Sequence, residues 1–188
     1  MSKLLPTTLY CPACDQRASV ILFESVNAMR LPHVPDAILD GTFERQTCAE
    51  CQTDFQPEHT MLYSDLPRRL WVVMRPPGER VVLERLEAEI VEVFEADFRA
   101  APPILRDALS GIRPRLVFGQ AELRECVRID RQGIPASLVE CAKLLALRGL
   151  LPELLASGPV ALAFDGVAHD GRDARFTVQS AGDDRELG

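Results

Sequence analysis

The sequence predicts an α+β fold, and three observations carry that prediction. Two C-x2-C pairs, Cys11/Cys14 and Cys48/Cys51, bracket strand-like chain and are separated by 33 residues. Pro76-Pro77-Gly78 then punctuates the chain, and the hydrophobic period changes from strand-like to helical beyond it. Near the end, two β-type runs flank an Asp-Gly turn signal. Together these give a small antiparallel zinc-ribbon-like β domain over residues 1–76. A helical region with a C-terminal β-hairpin follows over 77–188.

The elements follow in order. Residues 18–25, ASVILFES, form a short apolar run with β-branched content and read as a buried strand. In VNAMRLPHVPDAILDG, Pro35 presets the first turn of a short helical segment, and Gly41 stops it. TFERQT (42–47) leads as a strand into the second cysteine pair, and two more strands are expected at 60–64 and 69–74. Beyond Gly78, Leu83, Leu86, Ile90, Phe94 and Phe98 recur at helical spacing with glutamates between them, which predicts an amphipathic helix ended by Ala101-Pro102-Pro103. A strand over 115–118 precedes a helix starting after Gly119 and broken at Gly133. Pro135 starts a further helix with Leu138, Cys141 and Leu145 on its core face. PVALAFDGVAH and DARFTVQS pair around His169-Asp170-Gly171-Arg172, and the last residues, AGDDRELG, are expected to fray.

Composition narrows the function. No apolar stretch approaches the roughly 20 residues that cross a bilayer. The first residues carry one lysine and no apolar run of signal length, so a cytoplasmic protein is expected. A reducing compartment favours metal-bound cysteines over structural disulfides. The net charge is −7, with −2 in residues 1–76 and −5 beyond, and Arg68-Arg69 is the one adjacent basic pair. Nucleic-acid binders cluster their basic residues, so nucleic acid is disfavoured as a partner and an unknown protein partner is expected.

The cysteine spacing points to a metal. A two-residue spacer lets one turn place two thiolates on one ion, and four cysteines complete the tetrahedral set that structural zinc takes. The gap exceeds the 15–20 residues common between such knuckles. Doubling a loop costs only ~0.6 kcal/mol, against about 10–16 kcal/mol from binding a structural zinc. Cys11, Cys14, Cys48 and Cys51 are therefore the candidate ligands of a structural Zn²⁺. Lys3, Arg17 or Arg45 is expected to balance the formal −2 of a Zn(Cys)₄ centre. Asp15 and Gln52 occupy the places after each pair where φ is often positive and glycine is common. The rivals are a C-P-x-C redox site at Cys11, which needs a helix after the motif, and iron or free thiols.

Other candidates read as structural. Cys126 and Cys141 sit singly among apolar neighbours and are expected in the core. His33, His59 and His169 lack ligand spacing, although His59 follows Cys51 closely; a surface or turn role is expected. Asp36, Asp40, Glu58 and Asp65 flank expected elements as caps or solvated acids. No catalytic set, P-loop or GxGxxG is visible, so no enzyme is expected.

Several segments together resemble the CpXC proteins, a bacterial and archaeal family named for its two cysteine pairs. They are YCPAC, FESVNA, ILDGTFERQTCAEC, MLYSDLPRRLWVVMRP and RLVFGQAELRECVRI. The resemblance runs from about residue 9 to residue 147. The second pair here, Cys-Ala-Glu-Cys, lacks the proline family members often carry, and neither pair is followed by glycine. The resemblance implies a bacterial, zinc-ribbon-like module and implies no activity.

Overall fold

A computed structural model describes residues 2–149, 160–168, 173–180 and 183–187. It divides into two compact units, Met1–Leu123 and Arg124–Gly188.

The first unit is a mixed α/β structure. A five-stranded sheet has the order β1-β2-β5-β6-β7. Its strands are β1 (Lys3–Tyr10), β2 (Arg17–Asn27), β5 (Met61–Asp65), β6 (Leu70–Arg75) and β7 (Arg115–Phe118). Strands β1/β2 and β5/β6 pair antiparallel, whereas β2/β5 and β6/β7 pair parallel. The wholly antiparallel sheet expected from the sequence is thus corrected. Parallel neighbours need a long crossover, and the segments 28–60 and 76–114 supply them. The first crossover holds helix α1 (Val34–Asp40) and the small antiparallel pair β3 (Gln46–Thr47) and β4 (Asp54–Phe55). Pro35 opens α1, and Gly41 closes it at φ 77°, as the sequence predicts. The strand expected over 42–47 shortens to Gln46–Thr47.

The second crossover explains why the expected boundary at Pro76 does not hold. A 3₁₀ turn over Pro77–Val82 leads into α2 (Leu83–Ala100), and Pro103 starts a separate helix, α3 (Pro103–Leu109). Trp71 of β6 packs with Ile90 and Phe94 of α2 and with Ile112, and Leu62, Leu66, Val73, Leu109 and Leu116 pack around them. The Trp71 and Phe94 rings meet edge to face at 5.2 Å. The residues that alternate with Trp71 and Val73 along the strand, Leu70, Val72 and Met74, are also buried. A strand buried on both faces reads as the continuous apolar run LWVVM. Strand β7 and helix α2 therefore complete the core of the N-terminal sheet, and the unit extends to Leu123.

The second unit contains the rest of α4 (Gly119–Arg131), then α5 (Ala136–Gly149) and a three-stranded antiparallel sheet in the order β10-β9-β8. Its strands are β8 (Val160–Val167), β9 (Ala174–Ser180) and β10 (Asp183–Leu187). The tail expected to fray contributes β10, so the hairpin becomes a sheet. The expected turn at His169-Asp170-Gly171-Arg172 lies outside the described residues. Ile129, Val139 and Phe164 form one core cluster; Leu162 and Val178 form another, with Ala146 and Leu147 packed on it.

The expected core face of α5 is corrected. Leu138, Leu145 and Cys141 are exposed, the two leucines by 60% and 70%. The inward face carries Val139, Ala146 and Leu147, with Lys143 between them. The Lys143 ammonium lies 2.6 Å from Glu125 and 3.1 Å from Glu140. Burial pulls its pKa down, but Glu125 and Glu140 outweigh that and raise it. A paired lysine serves the inner face, so apolar periodicity alone chose the wrong stripe.

Candidate metal centre

Each cysteine pair sits in the turn of a β-hairpin, and the two turns are wired alike. In the β1–β2 turn, the Cys11 amide donates to the Gln16 carbonyl at 2.9 Å and the Asp15 amide donates to the Cys11 carbonyl at 2.9 Å. In the β3–β4 turn, the Cys48 amide donates to the Thr53 carbonyl at 2.9 Å and the Gln52 amide to the Cys48 carbonyl at 3.0 Å. Asp15 and Gln52 both adopt positive φ, 57° and 58°, as expected from their place after the second cysteine. The amide of Ala13 points at the Cys11 sulfur from 3.4 Å, which tempers a thiolate's charge.

The two hairpins bring Cys11, Cys14, Cys48 and Cys51 together, with all four sulfurs within 4.8 Å of one another. Cys11 Sγ lies 3.6 Å from Cys51 Sγ, and Cys14 Sγ lies 3.6 Å from Cys48 Sγ. A tetrahedral ion with metal–sulfur bonds of about 2.3 Å places its sulfurs about 3.8 Å apart. The cluster is therefore compatible with a four-coordinate metal. The separations far exceed the ~2.05 Å of a disulfide, and all four thiols are free. Among the described residues this is the one group of three or more cysteine, histidine or acidic side chains with metal-ligand spacing.

The thiols differ in their electrostatics. The Thr53 hydroxyl and backbone amide bring Cys51 down to about 6, helped by the neighbouring thiols. A backbone hydrogen bond from Gln16 acts most strongly on Cys14 and lowers it, yet the other three thiols and burial push it up to about 12. Four crowded thiols cannot all ionise without a cation among them. A divalent ion is the partner that would favour four thiolates.

The remaining sequence candidates fall elsewhere. Lys3 pairs with Glu24 at 2.6 Å, at the end of the hairpin about 25 Å of strand away from Cys11; it does not neutralise the cluster. Arg17 stands opposite Tyr10, next to Cys11, and Arg45 is exposed on the loop before β3. Strand β2 rather than a helix follows Cys14, so Cys11 lacks the helix N-terminus that the redox reading requires. Cys126 is buried as expected, whereas Cys141 is exposed. His33 is the residue before α1, and Asp40 accepts from the Thr42 amide and hydroxyl. His169 lies outside the described residues.

His59 is half-buried in the loop before β5, and it does not join the cysteines. Its Nε2 lies 2.7 Å from Glu44 Oε2, and its Nδ1 lies 3.1 Å from the Thr60 carbonyl. The Glu44 side chain is only 4% exposed. Its other oxygen accepts from the Phe23 amide of β2 at 2.6 Å, and Gln120 Nε2 approaches at 3.5 Å. Burial acts most strongly on His59 and lowers its pKa, but Glu44 and then the Thr60 carbonyl and Glu58 raise it above 6.5. Glu58 accepts from the Gln120 amide at 3.1 Å and so caps the start of α4. These residues tie the segment that carries the second cysteine pair to β2 and to the first turn of α4. Sequence spacing gives no sign of them, because Glu44 and Gln120 lie 76 positions apart.

A family model, described as CpXC protein, matches residues 9–143. No curated protein and no solved structure matches the chain.

Proposed function

The chain belongs to the CpXC family, and we propose that it is a non-enzymatic zinc-binding protein whose zinc-ribbon-like region serves as a protein-interaction or regulatory module. The convergence of four cysteine sulfurs from two matching hairpin turns carries the reading. Cys11, Cys14, Cys48 and Cys51 would hold the ion. When bound, zinc would supply four metal–sulfur bonds joining the β1–β2 turn to the β3–β4 turn. Four protein thiolates fill a tetrahedral shell and leave no position for water, which favours a structural role over a catalytic one. The strands β3 and β4 are two residues each, too little to hold a hairpin by themselves. Glu44, which accepts from the Phe23 amide, and the Phe43 ring stacked on Phe23 hold that segment on β2, and a zinc bound by the cysteines would add to them. The net charge of −7 favours a protein partner over nucleic acid. No helix among the described residues is long and apolar enough to cross a membrane.

The test is zinc per chain in protein purified without added metal, with the Cys48→Ser variant beside it. One zinc per chain, lost with the ordered β3–β4 segment in the variant, is the expected result. A metal-free, fully folded wild type would overturn the reading. Gentle co-purification from the native cell tests the partner, and a chain that stays alone counts against the interaction role.

A further inference from the structure

The four cysteines are unequal in exposure, and their sulfurs meet across the two turns. Cys11 and Cys48 are buried, Cys14 is half-buried and Cys51 is exposed. Cys11 Sγ lies 3.6 Å from Cys51 Sγ, and Cys14 Sγ lies 3.6 Å from Cys48 Sγ. Each approach joins one hairpin turn to the other. We propose that the centre is a peroxide-sensitive latch: a hydroperoxide oxidises Cys51, and Cys11 closes a disulfide with it across the two hairpins. This rests on the zinc-binding reading above.

The chemistry balances. The Cys51 thiolate attacks one peroxide oxygen, the O–O bond breaks, and a sulfenic acid forms with loss of hydroxide (an alkoxide for an organic hydroperoxide). The Cys11 thiolate then attacks the Cys51 sulfur, an S–S bond forms, and a second hydroxide leaves. Two sulfurs lose two electrons in all, and the peroxide gains them. Two thiolates, Cys14 and Cys48, remain, which is too few to retain a structural zinc. A second hydroperoxide can join that pair in the same way.

The arrangement favours this order. The exposed cysteine meets an oxidant first, and the sulfur of a buried cysteine, already 3.6 Å away, resolves the sulfenic acid before overoxidation. The Cys51 thiol donates to the Thr53 hydroxyl at 3.3 Å, so a polar group already stands beside that sulfur. Because the bond links the hairpins, the β3–β4 turn stays tethered to the β1–β2 turn after the ion is lost. A bond within either C-x2-C pair would release it.

The experiment uses the full chain as purified. Zinc content is measured first; a chain without zinc refutes the zinc reading and this latch with it. Zinc-loaded protein is then treated with hydrogen peroxide, with a chromogenic chelator present and with peptide mapping of the disulfides. Loss of the bound zinc alongside Cys11–Cys51 as the first disulfide, both reversed by a dithiol and added zinc, is the expected result. Zinc retained under peroxide overturns the latch and leaves the zinc reading standing. So does a first disulfide within a pair, Cys11–Cys14 or Cys48–Cys51. The Cys141→Ser variant, which removes the other exposed thiol, is expected to behave as wild type; abolished zinc loss in it would also refute the proposal.

Discussion

Replacing Gly119 with alanine should destabilise the first unit by about 2 kcal/mol, and the structure says where each part arises. Gly119 has φ +82°, and a Cβ there would lie 2.9 and 3.1 Å from the two Glu58 carboxylate oxygens and 3.0 Å from Pro77 Cγ. The left-handed conformation costs an L-residue about 1–2 kcal/mol. Glu58 must also swing away from the Gln120 amide that it caps, and a lost cap costs about 1 kcal/mol. Restricting the unfolded chain returns about 0.4–1 kcal/mol. Gly111 is the control: its φ is similar, +76°, but the nearest atom to an added Cβ is Arg69 Nη1 at 3.5 Å, ordinary contact. Gly111→Ala should therefore cost about 1 kcal/mol or less. Urea unfolding followed by Trp71 fluorescence reads both, because Trp71 is the single tryptophan and lies in the core of this unit. In a Glu58→Ala background the penalty for Gly119→Ala should shrink, because the carboxylate's share of the crowding is gone. Equal penalties for Gly119→Ala and Gly111→Ala would refute the steric argument. So would an undiminished penalty in the Glu58→Ala background.

Three further outcomes are expected. The folded state raises the pKa of His59 above its ordinary 6.5. The stabilisation from the Glu44–His59 pair is therefore full below that value and fades as pH climbs through the raised one; His59→Gln should flatten this limb of a stability–pH curve measured with zinc saturating. Gln52→Gly relieves a left-handed φ of 58° and should raise Tm in thermal unfolding while leaving zinc per chain unchanged, a gain of about 0.5–1 kcal/mol after the entropy cost of glycine. Cys126→Ser places a hydroxyl at a buried site and should cost about 1–2 kcal/mol in thermal unfolding, whereas Cys141→Ser on the exposed face should stay within about 0.5 kcal/mol of wild type.

How legible each feature was follows from whether its cause is local. The C-x2-C turns are local devices, so their wiring and the positive φ at Asp15 and Gln52 could be anticipated from a few neighbouring residues. The same holds for α1, set between Pro35 and Gly41, and for the buried strand LWVVM. The stripe on α5 misled because Leu138, Cys141 and Leu145 are as apolar as the face that packs, and only the Lys143–Glu125 pair on the inner side decides between them. The boundary at Pro76 misled because a proline pair marks a change of local conformation and says nothing about whether the next helix returns to the same core. Trp71 against Phe94 shows that it does.

The sequence by itself determined most of the local elements and the four cysteines that cluster, because C-x2-C spacing and turn geometry act within a few residues. Only the tertiary structure decided that β2 and β5, and β6 and β7, run parallel, that Cys11 meets Cys51 and Cys14 meets Cys48, and that Glu44, His59, Glu58 and Gln120 tie the segment of the second cysteine pair to the sheet and to α4. Those contacts join residues up to 76 positions apart. Their partners are chosen by burial and by the need to satisfy buried polar groups, and neither leaves a periodic trace in the chain.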